Sequence, residues 1–542
     1  MMTRHRGNRA AGGRAREGRP SRLAPALAIV AACLLTLLLA ASSSAAAPDL
    51  LLRLPEGRTA PGEGAAQLDN PAAAAANPTT GHIYISEGEN NRISEYTAWG
   101  YFVRSWGWDV APEGAPGDTP SDQLESCGPP APEASPSSSL CQKGSEGTGA
   151  GQFKVPGGIA VDQAGDVYVY DRENLRLQKF SPSGQFLLMA GGEVDKTTSA
   201  NLCTKADLEA GDECGAGLSG TASGFFSNGS IADFIAYSPG ADAIAVGDKG
   251  RIELFDDLDG SFLEEIPLLG ELSGKTVSAL DVDAAGNYYL SVSGIDTAYK
   301  LSAVGSLLHV YELTILNPHP ENPNVLALAN SADGTLYVGV RNFTFTIGQE
   351  VLGFDPKGDP IAGMEAGDQF ASLECEQFPQ FCGFGFPTDL RGLTSNHCAG
   401  SEGPNLYAIR NLSSAFGNPD SPHSYVSAYG PGPIGCEDPP VRPPLIVDQY
   451  AASVDTAGAT VRAAINPRFW PDATYYVQYG TGKCSEGGCD QSQPAPPGSL
   501  LTAKSVNAPI TSKGVFLGGL QPDTTYHFRF VAQSGGGGPV TG

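Results

Sequence analysis

From about residue 50 to its end, the chain is built of short alternating apolar and polar runs broken by turn-forming residues. The sharpest stretch is 151–186, GQFKVPGGIAVDQAGDVYVYDRENLRLQKFSPSGQF. Residues 159–161 form an apolar strand, Asp162-Gln163-Ala164-Gly165 is a turn, and 167–170 is a second strand. Residues 175–180 form a third, Pro182-Ser183-Gly184 turns again, and 186–189 is a fourth. The pattern recurs. Upstream, 81–85 matches 165–169, 91–96 matches 175–180, and the lead-in GEGAAQLDNP (62–71) aligns with GTGAGQFKVP (147–156). Downstream copies run through 243–246, 251–255 and 261–263; through 280–282, 287–290 and 299–301; through 325–329, 335–338 and 351–354; and through 389–393, 405–409 and 425–429. A single such unit cannot bury its own apolar faces, so the copies must stack on one another.

Four strands in about forty residues is the unit of a propeller blade. The wording of 151–186 and of its upstream copy resembles the NHL repeat family. That resemblance implies an all-β fold, a six-bladed β-propeller over 48–434. The sixth copy has three strands and then runs into PGPIGCEDPPVRPP (431–444), which cannot supply a fourth. Leu50-Leu51-Leu52-Arg53-Leu54 precedes the first lead-in, where 186–189 precedes a later one, and is expected to close the ring as the missing outer strand. The alternative is a linker.

The chain starts with seven Arg and one Glu in residues 1–22, followed by an apolar run over 23–41 and SSSAAAP. This reads as a secretory signal over 1–46, with an uncleaved membrane anchor as its rival. Either way the positive flank keeps the N-terminus inside and sends the rest out of the cytoplasm, secreted or on the envelope. Without 1–46 the chain keeps 26 basic and 58 acidic side chains, a net charge of −32. Such a field disfavours nucleic acid and anionic membranes. It tolerates cations, calcium among them, but no metal-ligand spacing accompanies the acids, and no cofactor is expected.

Without Cys33 ten cysteines remain, an even number in an oxidising compartment. They fall as neighbours: Cys127 with Cys141, Cys203 with Cys214, Cys375 with Cys382, Cys398 with Cys436, and Cys484 with Cys489. After Cys141 and Cys214 alike, Gly follows at three and six residues, Thr at seven, Gly at ten and Phe at twelve. This shared spacing makes Cys127–Cys141 and Cys203–Cys214 the best-supported bridges, stapling inserts at 109–150 and 191–223.

The Pro-rich stretch 435–444 separates a second module, 445–542. Alternation marks strands at 459–465, 474–479, 515–517 and 526–531. Leu520-Gln521-Pro522-Asp523-Thr524-Thr525-Tyr526 resembles the tyrosine corner of a fibronectin type III sandwich. The glycine-rich SGGGGPVTG that follows does not read as the last strand, leaving a fragment or a sandwich with an unfilled edge.

The family's shape also includes lactonase-like and lyase enzymes, which hold a metal with His or carboxylates from inner strands. Here six His remain after residue 46 (His82, His309, His319, His397, His423 and His527), and none recurs at an equivalent position. No GxSxG, HExxH or phosphate loop is present, so no catalytic or metal residue is assigned. Asp162, Asp281 and Asp283 read as turn caps. Arg92, Arg176 and Arg251 open the third strand of their copies. They are either a row that engages a partner or intrablade ion pairs with acids such as Glu87 and Asp171. Tyr84, Tyr168, Trp99, Trp106 and Trp108 are a glycan-stacking patch or core. The expected work is binding of a protein or glycan ligand through ring-face loops, with a propeller lactonase or lyase as the alternative.

Overall fold

The computed structural model describes residues 50–55, 61–119, 123–130, 137–227, 234–295, 297–313, 324–341, 349–361, 389–396, 405–412, 423–430 and 441–542. These belong to one folded unit, 47–542, and the expected signal segment lies outside the described residues. Among the described residues no helix is long and apolar enough to cross a membrane.

The fold is all-β. The first sheet orders Pro71–Ala76, Ile83–Glu87, Arg92–Tyr96, Phe102–Trp108 and Leu124–Cys127 as successive antiparallel neighbours. The second repeats this with Pro156–Val161, Val167–Asp171, Arg176–Phe180, Phe186–Ala190 and Leu202–Thr204. A third runs Ile235–Ser238, Ala243–Asp248, Arg251–Asp256, Phe262–Pro267, and a fourth Val277–Val282, Tyr288–Val292, Ala298–Leu301, Leu307–Tyr311. Next come Asn324–Asn330, Leu336–Arg341 and Gln349–Phe354, then Asp389–Asn396, Asn405–Leu412 and His423–Tyr429. Each innermost strand touches the innermost strand of the next sheet, and Asp389–Asn396 touches Pro71–Ala76. That circular order makes the fold a β-propeller.

Leu50–Leu54 pairs antiparallel with His423–Tyr429, joining the start of the described chain to its last propeller sheet. Leu52 and Leu54 are fully buried there, in one cluster with Val426, Ile85 and Tyr101. The cores lie between sheets: Ile159 and Val161 face one neighbouring cluster, Ala160 the other. The turn from third to fourth strand sits against the outer strand of the preceding sheet. Gly184, at φ 84°, shows why: a Cβ there would stand 2.7 Å from the Trp106 ring. The outermost strand of the fourth sheet, Leu307–Tyr311, carries His309.

The C-terminal module has two facing sheets. One pairs Leu445–Val454 with Gly458–Asn466, which also pairs Ile510–Thr511 and Val515–Gly518. The other is built on Thr474–Gly480 and His527–Ser534. Val461, Ile465, Val477 and Phe530 pack between them. The Tyr526 hydroxyl accepts the Gln521 N–H at 3.2 Å, back across the corner. Gly537–Thr541 corrects the expectation of a missing last strand, because it pairs antiparallel with His527–Ser534. Backbone pairing makes this strand with little help from its Gly- and Pro-rich side chains.

Candidate functional site

Arg92, Arg176 and Arg251 share one geometry, and it is not that of a partner-binding row. Each begins a third strand directly opposite an acid that ends the second: Glu87 with Arg92, Asp171 with Arg176, Asp248 with Arg251. Arg92 Nε lies 3.0 Å from Glu87 Oε1, and Arg176 Nε 3.0 Å from Asp171 Oδ2, all four side chains being fully buried. Most of the rest of each guanidinium donates backwards into the lead-in loop, while Arg92 also reaches the Gln142 carbonyl (2.9 Å) and Arg251 the Glu265 carboxylate (3.3 Å). Arg176 reaches the carbonyls of Thr148, Gly149 (2.9 Å) and Gln152 (2.7 Å). Arg92 reaches Glu63, Gly64 (3.1 Å) and Gln67 (2.7 Å). Arg251 reaches Thr221 (2.7 Å), Ala222 (3.4 Å) and Phe225 (2.7 Å). The acids take a lead-in amide in return: Asp69 N–H to Glu87, Lys154 N–H to Asp171, Ser227 N–H to Asp248. A planar, always-charged fork is suited to three convergent carbonyls, and a buried one has no reach to a partner. Intrablade pairing is therefore the outcome for these residues, extended to a clamp on the preceding loop.

The clamp accounts for the duplicated spacing after Cys141 and Cys214. Gly144 and Gly217 donate to the Asn90 and Asn174 carbonyls at 2.8 and 2.7 Å, pinning each insert to the turn beside its clamp. A Cβ on either would collide with backbone, 2.6 Å from Asn91 O and 2.2 Å from Leu175 O. Thr148 and Thr221 give up carbonyls to the arginines, and Phe153 and Phe226 are fully buried anchors. Disulfides Cys127–Cys141 and Cys203–Cys214 close the inserts, with all four cysteines buried. Each insert contributes a fifth strand, Leu124–Cys127 or Leu202–Thr204, and the second carries the helix Lys205–Ala210 with a Thr204/Asp207 capping box. Cys484–Cys489 is bridged in the C-terminal module. Cys375, Cys382, Cys398 and Cys436 lie outside the described residues.

The other end of the strands carries a second set of pairs. Lys179, nearly fully buried, sits 3.0 Å from Asp166 and 3.6 Å from Asp162, and also donates to the Asp257 carbonyl of the next sheet. Lys300 repeats this with Asp283 at 3.1 Å and the Tyr289 hydroxyl at 2.6 Å. In the first sheet Glu95 takes the lysine's place, between His82 (2.6 Å) and Arg104 (2.7 Å). Asp162 and Asp283 cap their turns, accepting the Asp166 and Asn287 amides at 2.8 Å. Asp281 does not. From its innermost strand its carboxylate accepts the Asn330 amide of the neighbouring sheet and the Val282 amide at 2.9 Å. Burial pushes Asp281 up from 3.8 to about 7 against those hydrogen bonds.

This shift fixes a sign. The folded state holds the Asp281 proton over a window where the unfolded chain has released it, so stability falls as pH rises from about 4 to about 7. Below the window, and above it, the contribution is flat. Relative to Asp281→Asn, the native protein should lose up to about 1.4 kcal/mol per pH unit across it, read from melting midpoints at pH 4.5, 6 and 8. A native-minus-variant difference constant with pH would contradict it.

Four of the five aromatic residues are core, and Trp108 is half-buried. Tyr84, Tyr168 and Trp106 are buried, and Trp99 packs edge-on against Phe469 with centroids 4.7 Å apart. None of these four faces solvent as a glycan platform. One open cavity of about 560 Å³ lies at the outer rim of the third and fourth sheets, where Leu272, Tyr299 and Leu301 form the floor and Leu269, Val304 and Leu307 the rim. Its polar feature is Glu271 accepting the Tyr299 hydroxyl at 3.1 Å, so it can take an apolar group beside one carboxylate. No local sequence signal marks it, because its walls come from two copies. Among the described residues no group of three or more His, Cys, Asp or Glu is arranged to hold a metal. Of the six histidines after residue 46, His319 and His397 lie outside the described residues.

Comparison with known proteins gives a family signal over one stretch: the NHL repeat matches residues 153–180. No curated protein matches the sequence. Solved structures with a similar course include virginiamycin B lyase from Staphylococcus aureus, at 10% identity and TM-score 0.33, over 67% of this chain and 96% of that one. A streptogramin B lyase gives 12% identity and TM-score 0.30, over 67% and 84%. The β-propeller domain of Cps50 (Swd1) from Myceliophteria thermophila gives 8% and 0.35, over 68% and 98%. The circular order of its sheets and the match over 153–180 make the chain a β-propeller protein that contains an NHL repeat.

Proposed function

We propose that this chain is an extracytoplasmic binding scaffold. Its six-bladed, NHL-like ring carries a fibronectin type III-like module, and it engages a protein or glycan ligand through the stapled inserts of one ring face. The observation that carries this reading is the set of bonds that hold the described parts of those inserts in place. Each is closed by a buried disulfide, hydrogen-bonded to the turn beside an arginine clamp, and joined to its sheet as a fifth strand. Loops ordered before they meet a ligand lose less freedom on binding, which is where affinity is gained. The six-blade count rests on the circular order of the inner strands, and the module's likeness on the Tyr526 corner and its two facing sheets. Disulfides and a signal-like N-terminus support the compartment.

The test swaps insert 109–150 or 191–223 for a short Gly-Ser turn and probes both variants on arrays of glycans and purified cell-surface proteins. Binding by the native chain should be lost in at least one variant while the ring still melts cooperatively. Turnover of a lactone or peptidyl-amide substrate that disappears with a chelator would replace this reading with the enzymatic one.

A further inference from the structure

The closing strand is not left as the outer edge of its sheet. Asn507, in the C-terminal module, forms a parallel bridge with Leu52: its N–H donates to the Leu51 carbonyl at 2.8 Å, and its carbonyl accepts the Arg53 N–H at 3.0 Å. Its side chain crosses the seam as well. Nδ2 donates to the Trp99 carbonyl at 2.9 Å, and Oδ1 accepts from Asn466 Nδ2 at 2.8 Å, both asparagines being fully buried. Beside it Phe469 enters the propeller's own core, in the cluster of Leu52, Leu54 and Val426, edge-on to Trp99. Arg468 and Phe469 both hold left-handed backbone, φ 51° and 68°, an uncommon turn kept in place by Arg468 N–H to Asn466 at 2.9 Å and Phe469 N–H to Val506 at 2.7 Å. The Arg442 guanidinium stacks 4.0 Å above the Tyr101 ring at the same contact.

In the first and second sheets the outer strand is covered by a fifth strand from an insert. We infer that the module supplies the equivalent cover for the closing sheet and so acts as the latch of the ring. Asn507 locks Leu50–Leu54 against His423–Tyr429. Ring closure and module docking are then one event, although 408 residues separate Asn507 from Trp99. An unlatched closing strand would hold its place by one ladder alone and present a free edge. The module's position is fixed by the same bonds, so ring and module turn together.

The Arg53 amide reports the latch directly, because its proton is donated to Asn507. Hydrogen exchange should be followed in the full chain carrying Asn507→Ala, and separately in Trp99→Leu, which alters no residue of the module. In both, exchange at Arg53 and along Leu50–Leu54 should accelerate at least tenfold, while Thr474–Gly480 and His527–Ser534 keep native protection. Unchanged exchange at Arg53 in both variants would overturn the inference. So would Trp99→Leu releasing the module while the closing strand stays protected, since closure would then be independent of docking.

Discussion

Replacing Arg176 by methionine should destabilise the propeller by about 3–5 kcal/mol, the range for removing one partner of a buried ion pair. Asp171 would be left fully buried without its counter-ion, and three lead-in carbonyls, of Thr148, Gly149 and Gln152, would lose their donor. A simple buried pair can be replaced by two apolar residues at little cost. Here it should not be possible, because Asp171 also accepts the Lys154 amide at 2.7 Å and the Asn174 side chain at 2.8 Å. The double variant Arg176→Met/Asp171→Leu should therefore remain as unstable as the single one. Thermal midpoints with exchange at 147–153 measure both, and a loss below about 1 kcal/mol, or full recovery in the double variant, would show that the clamp is not structural.

Deleting Leu50–Leu54 should have a still larger effect. Leu51, Leu52 and Leu54 are buried, and full burial of such a side chain is worth about 1.5–3 kcal/mol each. The deletion also strips His423–Tyr429 of its outer partner and removes the edge to which Asn507 binds. The expected result is a propeller that melts at least 10 °C lower or fails to accumulate, a shift of the order that several kcal/mol produces in a domain of this size. An unchanged melting temperature would mean that the strand is a dispensable linker.

Much of this architecture was legible because strand alternation and turn residues are local signals. The four strands of 151–186 lie within two or three residues of where their pattern put them, and the acid-to-arginine spacing of 87 to 92 and 171 to 176 pointed to the ion pairs. What stayed hidden was the non-local part. Lead-in carbonyls 24 to 30 residues before their arginine carry no side-chain signature, so half of each clamp could not be read. Leu124–Cys127 and Leu202–Thr204 are too short, in Pro-, Ser- and Gly-rich surroundings, for alternation to show. Gly537–Thr541 looked like a tail because backbone pairing, with Val540 its one side chain against the core, makes it a strand. Asn507 is a single residue in a loop, and only the folded chain brings it to Leu52. The arginines show the converse risk: a repeated, charged, evenly spaced residue invites a binding role, yet burial reserves it for the scaffold.

The central claim is that the insert-bearing face binds the ligand. A photo-crosslinking side chain placed at Leu218, 47% exposed in the second insert, tests it directly against one at Leu258, 82% exposed in a turn at the opposite end of the strands. With an array-identified glycan or surface protein as probe, crosslinks should form from position 218 and not from 258. Crosslinking from 258 alone would contradict the account and move the binding surface to the other face of the ring.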